Sequence, residues 1–160
     1  MNILDIVKED HEKVRSLFQR VEKSGRKDRT VLQQLFAQIK EELEIHMEGE
    51  ERFLYPKLEQ REEAREKVLE GYEEHQVAKN LIGTFTSLAV DDERWGAKLM
   101  VLFKVVEHHM QDEERGIFEM VRAAFHKGQL EEMGMQFKRH KREGRKPSRG
   151  ASVEARRKRR

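Results

Sequence analysis

No cysteine occurs among the 160 residues. That excludes disulfides, thiolate metal sites and a thiol nucleophile, so any bound metal must be held by nitrogen and oxygen. Proline is nearly missing as well, with two in the whole chain, and the apolar fraction is only 36%. Few prolines leave long helices uninterrupted, and the Leu, Val, Ile, Phe and Met that make up the apolar share offer little material for a β-sandwich. No apolar stretch approaches the roughly 20 residues of a membrane span; "LMVLF" at 99–103 is core material. The opening "MNILDIVKEDHE" lacks the basic-then-apolar pattern of a secretory signal, which predicts a cytoplasmic protein.

Charge is what the chain has in abundance: 40% of residues are Asp, Glu, Lys or Arg. The net charge of +2 conceals a division. Residues 138–160 carry 12 Lys/Arg against two Glu, leaving 21 basic and 29 acidic residues in the first 137. An acidic body of amphipathic helices with a basic, disordered tail is expected, the domain ending at 137.

Along that body, apolar residues recur at helical spacing. Asn2 is a candidate N-cap for a first helix over about 3–24, carrying Leu4, Val7, Val14, Phe18 and Val21. A second helix runs from Leu32 to "YP" at 55–56, a third spans Val68 to Ala89, and a fourth runs from about Glu93 to near Gly128. Leu130, Met133 and Phe137 suggest a short fifth helix. Four long helices with short connections predict an all-α, up-down-up-down four-helix bundle. "HMEGEER" at 46–52 reappears as "HMQDEER" at 109–115; His11 precedes His46 by 35 residues and His75 precedes His109 by 34. The bundle should therefore have a pseudo-twofold repeat.

Six polar residues fall on the apolar stripes: His11, His46, Glu50, His75, His109 and Glu113. Burying a lone carboxylate costs several kcal/mol, on the order of the stability of a small domain. Two His–Glu pairs at i,i+4, each stacked on one helix face, together with two further inward histidines, call for a cation. A metal-free bundle with buried His–Glu pairs is the competing reading. Four imidazoles and two carboxylates exceed one tetrahedral zinc and suit two metals bridged by the glutamates. Two non-haem iron ions fit nitrogen and oxygen ligation with open positions; manganese, zinc or copper could occupy the same donors. His108 with Asp112 offers a shifted frame, but the stripe selects His109 and leaves His108 a surface neighbour. His126 and His140 are expected in solvent, and Glu51 and Glu114 beside Arg52 and Arg115 as partners or supports. Tyr72, one turn before His75, is preferred over Tyr55 as donor to a bound oxygen species, with plain core packing as its alternative.

In this order and spacing, His11, "HMEGEERFLYP" at 46–56, His75 and "HMQDEERGIF" at 109–118 resemble the hemerythrin-like HHE cation-binding domain over roughly residues 3–125. The resemblance implies a non-haem di-iron site with His11, His46, His75 and His109 as terminal ligands and Glu50 and Glu113 as bridges. It also implies binding of oxygen, nitric oxide or peroxide at an open position. Oxygen-carrying hemerythrins have a second histidine four residues after the third-helix ligand; here that position is Lys79, which favours redox reactivity, nitric oxide binding or iron sensing over oxygen carriage. Iron-sulfur repair proteins share a similar helical domain, but their N-terminal cysteine region has no counterpart. Residues supporting catalysis are not evident, so enzymatic turnover of peroxide or nitric oxide is left open. An iron sensor or store whose fold depends on occupancy is a second expectation, and nucleic-acid or anionic-surface contact through residues 138–160 a third.

Overall fold

The computed structural model describes residues 1–145. Their order is α1 (Ile3–Lys23), α2 (Arg29–Phe53), the single turn α3 (Tyr55–Leu58), α4 (Glu62–Thr84), a 3-10 turn Phe85–Ser87, α5 (Arg94–Asp112), a π turn Glu113–Ile117, α6 (Phe118–Ala124) and α7 (Lys127–Gly144). No strand occurs among the described residues, and no helix there is long and apolar enough to cross a membrane.

Local chemistry sets the helix ends. Asn2 accepts from the amides of Leu4 and Asp5 at 2.8 and 3.2 Å, while Asp5 accepts from Asn2 N–H at 3.0 Å. This reciprocal box starts α1 and is worth about 1 kcal/mol. Asp28 caps α2 through the Val31 amide. Pro56 cannot continue α2, so the chain breaks at Leu54 and restarts as α3.

The four-helix frame is α1, α2, α4 and the α5–α6 rod, with α1 packed along α2 and α4 along α5. Its apolar residues form two clusters at opposite ends. One contains Phe18, Val21, Leu32, Leu35, Trp95, Leu99 and Leu102; the other contains Ile3, Val7, Leu54, Tyr55, Leu58, Phe118 and Val121. Between them sit the polar residues of the stripes.

Beyond 124 the structure departs from the sequence-based expectation. α7 is no short cap but an 18-residue helix packed on α1 and α2, and it crosses the boundary expected at 137. His140, expected in solvent, is buried at 7% exposure. The remainder of the expected disordered tail, residues 146–160, lies outside the described residues. Apolar pattern alone understated α7, which is also held by close backbone approach. A Cβ on Gly134 would stand 2.9 Å from the Met1 carbonyl oxygen, and one on Gly49 2.6 Å from the Phe137 ring. Glycine within a helix costs roughly 0.5–1 kcal/mol relative to alanine, so its presence at Gly49 marks a contact that needs the space. Gly49→Ala should overpack this seam and cost about 1–3 kcal/mol, read as a lower midpoint in urea unfolding with an unchanged slope.

Candidate metal centre

His11 on α1, His46 and Glu50 on α2, His75 on α4, His109 at the end of α5 and Glu113 at the start of the π turn converge in the bundle interior. All six are buried, Glu50 and Glu113 completely. They form two groups, His11, His46, Glu50, Glu113 and Glu50, His75, His109, Glu113, in each of which one donor atom per residue lies within 4.8 Å of the others. Both glutamates belong to both groups. Glu50 spans them with its two oxygens, Oε1 at 3.2 Å from His46 Nε2 and Oε2 at 3.0 Å from His75 Nε2. Glu113 Oε1 lies 2.5 Å from His109 Nε2 and 3.8 Å from His11 Nε2. The π turn beginning at Glu113 is the kind of helix irregularity that concentrates at functional positions.

Each imidazole is fixed from behind. Nδ1 lies 2.8 Å from Glu114 for His11, 3.0 Å from Asp10 for His46, 2.9 Å from Glu51 for His75 and 3.1 Å from Glu74 for His109. An ionised carboxylate only accepts, so Nδ1 donates and Nε2 is turned inward in all four rings, where it offers a lone pair to a metal once its proton is displaced. His75 and His109 then bring their Nε2 atoms within 3.0 Å of one another. At that distance the two nitrogens need a positive charge, a proton or a metal ion, between or beside them. Nε2 of His11 and His46 and all four oxygens of Glu50 and Glu113 have no hydrogen-bond partner among the described residues. Inward lone pairs and unpartnered buried carboxylate oxygens are a donor set that fits divalent cations.

The electrostatics agree. Burial works against the imidazolium of His46, but the charge of Glu50 and the hydrogen bond to Asp10 outweigh it and push it up to about 10. His109 is likewise raised despite burial, by Glu113 and Glu74. Burial opposes ionisation of Glu50, yet the neighbouring His46 and His75 hold it well below the usual carboxylate range. The pocket favours positive charge at its centre.

The outer carboxylates are themselves braced. Arg15 Nη1 lies 2.9 Å from Glu114, Lys79 Nζ 2.8 and 2.9 Å from Glu51, and Lys141 contacts Asp10. Lys79 thus occupies its position as an ion-pair partner of a supporting carboxylate. Of the two roles expected for them, Glu51 and Glu114 take that of supports, across helices, and not that of partners to Arg52 and Arg115. Asp10 and Glu74 escaped sequence reasoning. Their signal is an acid immediately before each first-helix histidine, in "EDHE" and "EEHQ".

Tyr72, the expected donor, is half-buried. It packs edge-on against Tyr55 with ring centroids 5.1 Å apart, and Tyr55 is the tyrosine at the centre. Tyr55 Oη lies 3.5 Å from Nε2 of both His75 and His109. The break at Leu54 turns α3 so that Tyr55 points inward, and Gly71 makes room, since a Cβ there would stand 2.9 Å from Tyr55 Oη. Burial and the charges of Glu113 and Glu50 push the phenol well above its ordinary range, so it remains a donor. His108 is 70% exposed, as expected, and reaches Asp112 at 3.3 Å.

The supports predict an acid response. The hydrogen bond from His11 holds Glu114 down at about 2 from its ordinary 4.5; burial opposes this and Arg15 assists it. A depressed carboxyl stabilises the fold fully above its unfolded value and loses that contribution as pH falls through the folded one. Urea unfolding should therefore weaken between about pH 4.5 and 2, and Glu114→Gln should flatten that dependence.

Residues 2–121 match the family described as the hemerythrin HHE cation binding domain. Over 143 residues the chain is 29% identical to a Nostoc sp. protein named DNA nickase, the match covering 86% of this chain and 38% of the relative. It is 30% identical over 115 residues to an uncharacterized hemerythrin-like protein of Schizosaccharomyces pombe, covering 71% of this chain and 56% of that one. The chain therefore spans well under two thirds of either relative's length. Its fold resembles that of a hemerythrin HHE cation binding domain-containing protein of Mycobacterium kansasii, with a TM-score of 0.79 at 20% identity, covering 91% of this chain and 88% of that one. With the family match extending over most of the sequence, the chain belongs to the hemerythrin HHE cation binding domain family.

Proposed function

We propose that the protein holds a dinuclear non-haem iron centre that binds or reacts with oxygen, peroxide or nitric oxide. The observation that carries this reading is the pair of donor groups sharing Glu50 and Glu113. His11 and His46 would hold one ion, His75 and His109 the other, and the two glutamates would bridge them. Bound iron would supply an open coordination position and exchange electrons.

The chain's own residues do the rest. Asp10, Glu51, Glu74 and Glu114 hold the imidazoles in one tautomer, so their inward lone pairs need no reorganisation. The two apolar clusters exclude bulk water from above and below. On the His75/His109 side, Tyr55 holds a proton on Oη that it can donate to a small ligand at the centre. A small, apolar-lined space bordered by Val14, Met47, Ala78, Val106 and Met110 adjoins His46, His75 and His109, which suits a small uncharged ligand.

Metal per chain and the visible spectrum of the anaerobic ferrous protein, before and after air, peroxide or nitric oxide, test the proposal. Two irons and an oxo-bridge spectrum after oxidation are expected; a colourless, metal-free protein after careful reconstitution would refute it. Tyr55→Phe should keep both metals but shorten the lifetime of the ligand-bound spectrum, whereas Tyr72→Phe should leave it unchanged. Equal behaviour of the two variants would remove Tyr55 from this role.

Nucleic-acid or anionic-surface contact through residues 138–160 takes second place. The local excess of basic residues and the name of the Nostoc relative support it. Against it, Lys141 and Arg145 are already engaged with Asp10 and Glu42.

A further inference from the structure

We propose that Lys141, on the C-terminal helix α7, is a positioning residue for the metal centre: it holds the Asp10 carboxylate that orients His46. The inference rests on the dinuclear reading above. α7 lies beyond the matched family span of 2–121.

Asp10 is only 4% exposed and faces two ways. Oδ2 accepts from His46 Nδ1 at 3.0 Å, and Oδ1 accepts from Lys141 Nζ. The arrangement of cation, carboxylate and imidazole occurs at two other corners of the centre, as Arg15, Glu114, His11 and as Lys79, Glu51, His75. At those corners the cation stands four residues after the histidine on the same helix, so the four-helix frame provides it. Asp10 has no such partner within the frame. Lys13, one turn on, is drawn away to Glu42 at 2.5 Å. The cation for this corner comes from α7.

The seating of α7 explains how Lys141 reaches so deep. Gly134 lets the helix approach the backbone of Met1–Ile3, and Phe137 packs over Gly49 with its ring 6.1 Å from that of His46. One turn beyond Lys141, Arg145 closes on both Glu42 oxygens at 2.9 Å. A buried carboxylate without its cation is strongly disfavoured. Asp10 would turn toward water and release the His46 ring. The fourth corner differs: besides His109, Glu74 reaches only the exposed His108, at 3.7 Å, and no Lys or Arg among the described residues. α7 thus selectively stiffens the His11/His46 half.

The test is a double-mutant cycle on the full chain with zinc as probe, comparing wild type, Lys141→Met, Asp10→Asn and the double variant. Zinc affinity, zinc per chain and the His46 Nδ1–H proton resonance of the zinc-loaded protein are read, with helicity as the fold control. Lys141→Met should weaken one of the two zinc steps by about tenfold or more, the scale for supports of metal ligands. It should also broaden or move the His46 resonance, and Lys141→Arg should restore both. The effects of Lys141→Met and Asp10→Asn should be strongly non-additive, because both act through one contact. If Lys141→Met alone loses its fold, the double variant, which removes both charges, takes its place and must still show weakened zinc binding and the moved resonance. Wild-type zinc affinity in Lys141→Met or the double variant, or additive effects, would overturn the inference while leaving the dinuclear reading standing. Failure of the wild type to bind two zinc ions would overturn both.

Discussion

Glu50→Ala should empty both metal positions. Glu50 places one oxygen beside His46 and the other beside His75, so its loss takes a donor from each half of the centre. The bound metal should fall from two ions to fewer than one per chain, as counted by elemental analysis after gel filtration. Glu113→Ala should behave alike, since Glu113 also belongs to both donor groups. His11→Ala and His75→Ala offer the contrast: each removes a donor from one group only, and each should retain about one ion. Far-UV circular dichroism separates loss of metal from loss of fold. Losing a buried carboxylate leaves its imidazole partners and the other glutamate uncompensated, so the glutamate variants should melt at a lower temperature, while the two apolar clusters keep them helical at room temperature. Two ions retained in both glutamate variants would contradict the bridging arrangement.

Removing the metal from the intact protein should produce the second large effect. The centre then keeps two buried carboxylates whose four oxygens have no hydrogen-bond partner among the described residues. A ligand that binds only the folded chain at a thousandfold excess over its Kd adds about 4 kcal/mol per site. For a domain of this size each kcal/mol moves the thermal midpoint by roughly 2–4 °C. Chelation should therefore lower Tm by on the order of 10 °C or more, with recovery when metal is restored. Protease resistance should follow the same course. An unchanged midpoint after verified metal removal would show that protons or water satisfy the pocket equally well, and would also sink the sensing and storage alternative.

The six inward residues were legible in the sequence because helical periodicity is a local property. A histidine such as His46, standing where the stripe demands an apolar side chain, faces the core whatever the helix packs against. The 35- and 34-residue spacings then paired the helices. Tyr55 was misjudged for an equally local reason. Extending α2 as a straight helix does not carry residue 55 into the centre, and only the break at Leu54 followed by Pro56 re-aims it. Asp10 and Glu74 were missed because each lies about 100° around the helix from the neighbouring histidine and serves the histidine of another helix. α7 was foreseen as short because residues after 137 have few apolar side chains, and the structure shows glycine contacts and ion pairs supplementing them.

By itself the sequence determined an all-helical chain, the repeat of two helix pairs, and the identities of the four histidines and two glutamates that face inward. Side-chain period and residue chemistry suffice for that, since both are written within a few turns of chain. Tertiary structure alone decided that His11 groups with His46 and His75 with His109, that Tyr55 reaches the centre, and that Lys141 of a fifth long helix contacts Asp10 behind His46. Those relations join residues from different helices, and the crossing, stagger and rotation of packed helices come from the summed fit of many side chains, which no local pattern encodes.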